Sequence, residues 1–182
     1  MIAAGGDIIL VVGKDNPLRL RVDSHMLRAA SKTFNAMLGP NFAEGQNLTS
    51  GVPKEIPMED DDGETMTLIC NVVHLKNSEL PEKISACGII ELARTVDKYF
   101  LHDALRLATE KWLDFERSPD SITLRAVLQA AIILNDARAF RKATKAMVLD
   151  TTVSARSLFA DSALEIYTST ICKSVRLRPR FS

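Results

Sequence analysis

The residues of this chain whose types and spacing could do chemistry fall into a few local groups. Cys70 and His74 stand one helical turn apart, so on a helix both side chains could face a single ion. Two ligands do not close a zinc site, and His25 and His102 have no close ligand partners. The pair therefore reads as a core thiol and a histidine near a helix end. The run Glu59-Asp60-Asp61-Asp62-Gly63-Glu64 has the composition of a cation loop but lacks the alternating ligands and the distal bidentate glutamate of an EF-hand. Placed before a helix, it complements the positive end of the dipole and needs no ion. Ser24 and Ser31 near His25 are the only local serine–histidine combination, and both serines read as helix-end residues. There is no Gly-x-Ser-x-Gly elbow, dinucleotide fingerprint or P-loop. No catalytic residue, metal or cofactor is expected, and the chain reads as non-enzymatic.

Composition narrows the classes further. Lysine plus arginine equals aspartate plus glutamate at 23 each over 182 residues, so no global positive field favours nucleic acid. Charge is segregated locally, with the acidic run on one side and Lys173, Arg176, Arg178 and Arg180 in a basic tail. No apolar run approaches the ~20 residues of a membrane helix, and no secretory signal opens the chain. Cys70, Cys87 and Cys172 are an odd set without close pairing, which reads as reduced thiols. A soluble, intracellular protein of the cytoplasm or nucleus is expected, and Asn47-Leu48-Thr49 is then a chance sequon.

The elements that must position these groups are readable from periodicity. Ile8 to Val12 is an unbroken apolar run between Gly6 and Gly13, as in a strand covered on both faces. After Lys14-Asp15-Asn16-Pro17 the chain alternates, with Leu18, Leu20 and Val22 on one face and Arg19 and Arg21 on the other, completing a hairpin. Asp23 or Ser24 caps a helix, and a second short helix from Ser31 to Leu38 stops at Gly39-Pro40. Lys54 to Met58 is a third strand with Ile56 and Met58 inward, placed at an edge or strand end by Pro57. Asp61 or Asp62 caps a helix reaching about Leu75. A longer helix carries Ile89, Leu92, Ala93, Val96 and Phe100 as one stripe, and another from Asp103 to Phe115 carries Leu105, Ala108, Trp112 and Phe115. Ser118-Pro119 starts a helix lined by Leu124, Val127, Leu128, Ala131 and Leu134. Across an Asn135-Asp136 joint, the next helix is lined by Ala137, Phe140, Thr144, Met147 and Val148, and a last helix is expected at about Ser162 to Val175.

Several of these pieces, in this order, resemble a BTB/POZ domain of the short, fungal type. They are Gly6-Asp7 with its apolar strand, Leu27-Arg28-Ala29-Ala30-Ser31 with Phe34, Met37 and Leu38, Phe42-Ala43-Glu44-Gly45, and Asp97-Lys98-Tyr99. The resemblance covers Asp7 to Trp112. It implies an α+β fold, a small three-stranded sheet packed on a helical bundle with extra C-terminal helices. The expected division is a domain over 1–116, an appended helical region over 117–175 and a flexible tail over 176–182. It also implies a module that binds protein partners: a homo-oligomer, a recruitment module, or an adaptor for a cullin-type ubiquitin ligase.

Two departures shape that expectation. Six residues precede Asp7, too few for the N-terminal segment exchanged in swapped dimers of the family. Ser24 stands where many members carry a cation beside the strand-opening aspartate, which argues against the charged corepressor pocket. Leu80-Pro81-Glu82 is similar to the apolar-x-Glu motif through which adaptors meet a cullin. The candidate partner-binding residues are Met37, Phe42, Met58, Leu75, Leu80 and Glu82. A regulator that reads nucleic acid through Arg176, Arg178 and Arg180 is the alternative from another class.

Overall fold

The computed structural model describes residues 2–46, 48, 52–115 and 119–149. The chain divides into two compact units, Met1–Ala143 and Thr144–Ser182. The expected last helix, the basic tail, Ser118 and Cys172 lie outside the described residues.

The architecture is α+β. Strands β1 (Ile8–Val12), β2 (Leu18–Val22) and β3 (Lys54–Met58) form one mixed sheet in the order β2-β1-β3. β1 pairs antiparallel with β2, Ile8 opposite Val22 and Val12 opposite Leu18, and parallel with β3, Ile8 beside Lys54 and Val12 beside Met58. Helices α1 (Ser24–Ala30) and α2 (Lys32–Met37) form the crossover from β2 to β3. Then follow α3 (Gly63–Val73), α4 (Ala86–Lys98), α5 (His102–Leu113), α6 (Ser121–Ile133) and α7 (Ala137–Leu149). No helix among the described residues is long and apolar enough to cross a membrane.

The inner face of the sheet carries Ile8, Leu10, Val12, Leu20, Val22, Ile56 and Met58 into a core shared with Leu27, Phe34, Met66, Ile69, Val96 and Leu105. β1 is therefore not covered on both faces: Ile8, Leu10 and Val12 are buried while Ile9 and Val11 are half-buried. Leu18, expected inward with Leu20, is 44% exposed, because it lies at the strand's open end against Gly63.

Caps fix where the helices begin. Asp23 accepts from the amides of His25 and Met26. The Ser31 hydroxyl accepts from the Phe34 amide and itself donates to the Tyr99 carbonyl at 2.5 Å, joining the α1–α2 corner to the end of α4. Asp62, not Asp61, caps α3 through the Thr65 amide. Asp120, not Ser118, caps α6, so that helix starts later than Ser118-Pro119 suggests.

Helices α3, α4 and α6 end alike. In each, the residue after the cap takes a positive φ: Leu75 (60°), Phe100 (51°) and Asn135 (54°). The following amide then bonds back to a carbonyl of the last turn: Lys76 to Asn71, Leu101 to Val96, Asp136 to Ala131. This reversal displaces Phe100 from the stripe. Phe100 is 62% exposed, Tyr99 and Leu101 are buried instead, and Tyr99 stacks on Phe34 with ring centroids 4.8 Å apart.

α6, expected in an appendage beginning at 117, packs along α4 inside the first unit. Ala126, Ala130 and Ala131 are buried, and such small side chains let helix backbones approach closely. On α7 the buried positions within that unit are Ala139 and Ala143, whereas Ala137 and Phe140 of the expected stripe are exposed.

Candidate interaction surfaces

The side chains with chemical potential are committed to holding elements together. His74 caps the end of α3, with Nδ1 2.8 Å from the Cys70 carbonyl and Nε2 accepting from the Asp23 amide at 2.9 Å. Accepting at Nε2 fixes the proton on Nδ1, so both ring nitrogens are occupied and the ring ties α3 to the β2–α1 junction. The Cys70 thiol is buried, and burial pushes its ionisation up to about 12. It meets His74 through its backbone carbonyl, so the two do not converge on an ion.

Asp7 and Ser24 likewise serve the fold. The Asp7 carboxylate accepts from the Ser24 amide at 2.8 Å and the Ser24 hydroxyl at 2.6 Å, pinning the start of α1 to the start of β1. Ser24 thus gives one hydrogen bond to each oxygen of the aspartate, at the position where many of the domains it resembles carry a cation. In the acidic run, Asp61 accepts from the Tyr99 hydroxyl at 2.6 Å and pairs with Lys98 at 2.6 Å, its own side chain almost fully buried. Burial, then the bond to Asp61 and the charges of Asp61 and Asp60, hold the Tyr99 hydroxyl far above the usual phenol range. Sequence reasoning missed this cluster, although its members stood in two motifs already singled out.

The expected partner-binding residues separate into three groups. Phe42 is 52% exposed just past the Gly39-Pro40 stop, and Leu75 is 74% exposed at the reversal after α3. Glu82 is also exposed. Met37 and Leu80 are half-buried and pack against the core. Met58 is 5% exposed on the inward side of β3, so it is a core residue and no contact point for a partner. Its alternation with exposed Glu55 and Pro57 already carried that signal.

The connection after α3 holds three of these residues. Trp112 anchors it by donating from Nε1 to the Pro81 carbonyl at 3.0 Å. Leu80 turns toward the core while Glu82 stays in solvent, so the Leu80-Pro81-Glu82 tripeptide does not present its apolar and acidic ends together. Leu75 and Glu82 are both exposed in this connection. Phe100, which periodicity placed in a buried stripe, and Leu107, which it did not single out, are further exposed apolar residues.

In comparisons with known proteins, no family model and no curated protein matches the chain.

Proposed function

We propose that this protein is a non-enzymatic interaction module of the BTB/POZ type that recruits or assembles partner proteins. The observation that carries this reading is the order of its elements: a hairpin, a tight pair of short helices, a third strand returning to the sheet, and then the helical bundle. That is the order implied by the motifs at Gly6-Asp7, Leu27 to Leu38 and Asp97 to Tyr99. The use of His74, Asp7, Ser24 and Asp61 as fasteners supports a binding role over a catalytic one.

A second reading, a cullin-ligase adaptor, is favoured by the Trp112-anchored connection that exposes Leu75 and Glu82. The module reading is tested by affinity capture with wild type, Phe42→Asp and Leu75→Asp. At least one partner should be retained by wild type and lost by one variant, and a set of partners blind to both would overturn the reading. The adaptor reading is tested by calorimetry against the N-terminal region of the BTB-associated cullin. Micromolar binding weakened at least tenfold by Leu75→Asp and by Glu82→Arg is expected, and no binding by folded wild type removes it.

A further inference from the structure

Among the described residues, no helix packs on the outward face of the sheet. Its central strand carries Ile9 and Val11, flanked by Arg19 and Arg21 on β2 and Glu55 and Pro57 on β3. Ile9 and Val11 are half-buried, while Arg19, Glu55 and Pro57 are exposed. The Arg19 guanidinium forks onto the Glu55 carboxylate across β1, which holds Glu55 below and Arg19 above their ordinary ionisation ranges.

Both sheet edges are blunted. On β3, the Lys54 amide and Met58 carbonyl bond toward β1, so the alternating groups of Glu55 and Pro57 face outward, and Pro57 has no amide to offer. On β2, the outward carbonyl of Arg21 already accepts from the amides of Ile2 and Ala3. Association through the sheet is left to its face.

We propose that this face is a weak, two-fold contact between two copies of the chain, an inference independent of the BTB/POZ reading. Charge complementarity selects the second copy as occupant. A two-fold axis parallel to the strands places β2 of one copy over β3 of the other, so Arg19 meets Glu55 of the second copy, and the reverse contact follows by symmetry. Half-buried Arg21, whose Nε donates to the Gly6 carbonyl at 2.9 Å, adds positive charge on the same strand. An in-plane axis across the strands would set arginine on arginine and is disfavoured. The distance is suitable: β2 and β3 lie two strand spacings apart, about 10 Å, and facing sheets stack at about 10 Å. An Arg19 that reaches Glu55 within its own sheet can therefore reach the one opposite, and exchanging an exposed pair costs little. Ile9, Val11 and Pro57 form the apolar centre. Three five-residue strands cover only about 250 Å² per copy, against ~800 Å² in a standard interface, so the contact forms at high local concentration.

Sedimentation equilibrium tests the inference. Wild type should dimerise with a dissociation constant on the order of 100 μM, weakening as salt rises. Arg19→Glu and Glu55→Arg should each lose association at least tenfold, since each juxtaposes like charges across the axis. An equimolar mixture of the two should recover it as a heterodimer, and the double swap should recover it as a homodimer. The inference is overturned by a wild type monomeric to about 1 mM, by a dimer indifferent to both single changes, or by failure of the mixture and the double swap to associate.

Discussion

Asp61 stands in a run that reads as solvated acid, yet its carboxylate is enclosed by the Tyr99 hydroxyl and the Lys98 ammonium. Removing the hydroxyl tests the cluster. Tyr99→Phe keeps the stack on Phe34 and should lower unfolding free energy by about 1–2 kcal/mol in urea titrations. Cys70 makes a different prediction, about pH. Its folded ionisation is raised from 9.0 to about 12, so the native thiol keeps its proton while the unfolded thiol gives it up. The stability this represents is fully present below about 9 and is lost as pH rises through about 12. Wild type should therefore lose stability more steeply than Cys70→Ala over that range, by about 1.4 kcal/mol per pH unit. Tyr99 shifts in the same direction and leaves a residual slope in the variant. At this scale the sequence was partly legible. Caps such as Asp23 and Ser31 follow from residue type and position, whereas the Asp61–Tyr99 bond joins positions far apart in sequence and has no local signature.

The helices were legible wherever large apolar residues recurred at helical spacing, as in α3, α4 and α5. They were misread where the chain reverses without glycine. Phe100 follows Val96 at helical spacing, so periodicity extends the stripe through it, but the left-handed turn moves burial to Tyr99 and Leu101. Bulky residues disfavour that conformation by roughly 1–2 kcal/mol, and neither Leu75 nor Phe100 recovers the difference through burial. Leu75→Gly and Phe100→Gly should each raise stability by up to about 1 kcal/mol in chemical denaturation. If Leu75 is a partner contact, its glycine variant should bind the captured partner more weakly while unfolding later. Such a divergence between stability and binding would locate a working surface, whereas a loss of both would return Leu75 to the scaffold. The α7 face was misjudged for the opposite reason: Ala139 and Ala143 carry little hydrophobic signal yet are buried, whereas the α6 stripe of Leu124, Val127, Leu128, Ala131 and Leu134 is buried or half-buried as expected, with Ala126 and Ala130 added to it.

At the scale of the molecule, the α+β class and the inward set of the sheet were legible, because alternation along β2 and β3 names the buried side. The site was less so: Phe42, Leu75 and Glu82 reach the surface, Met37 and Leu80 lean on the core, and Met58 joins it. Exposure depends on which elements pack nearby, and no single segment encodes that. The two partners of β1 also differ in a way that bears on how quickly the protein forms. Its pairing with β2 closes over residues 13–17, while its pairing with β3 must enclose residues 13–53, including α1 and α2. Chain entropy makes the second closure costlier by about 2 kcal/mol, so the hairpin should be structured at the folding barrier and β3 should dock after it. In stopped-flow chevrons, Leu20→Ala should mainly slow folding and Ile56→Ala should mainly hasten unfolding. A nascent chain would then carry its hairpin for a time with one side of β1 still unpaired, open to any strand that arrives before its own.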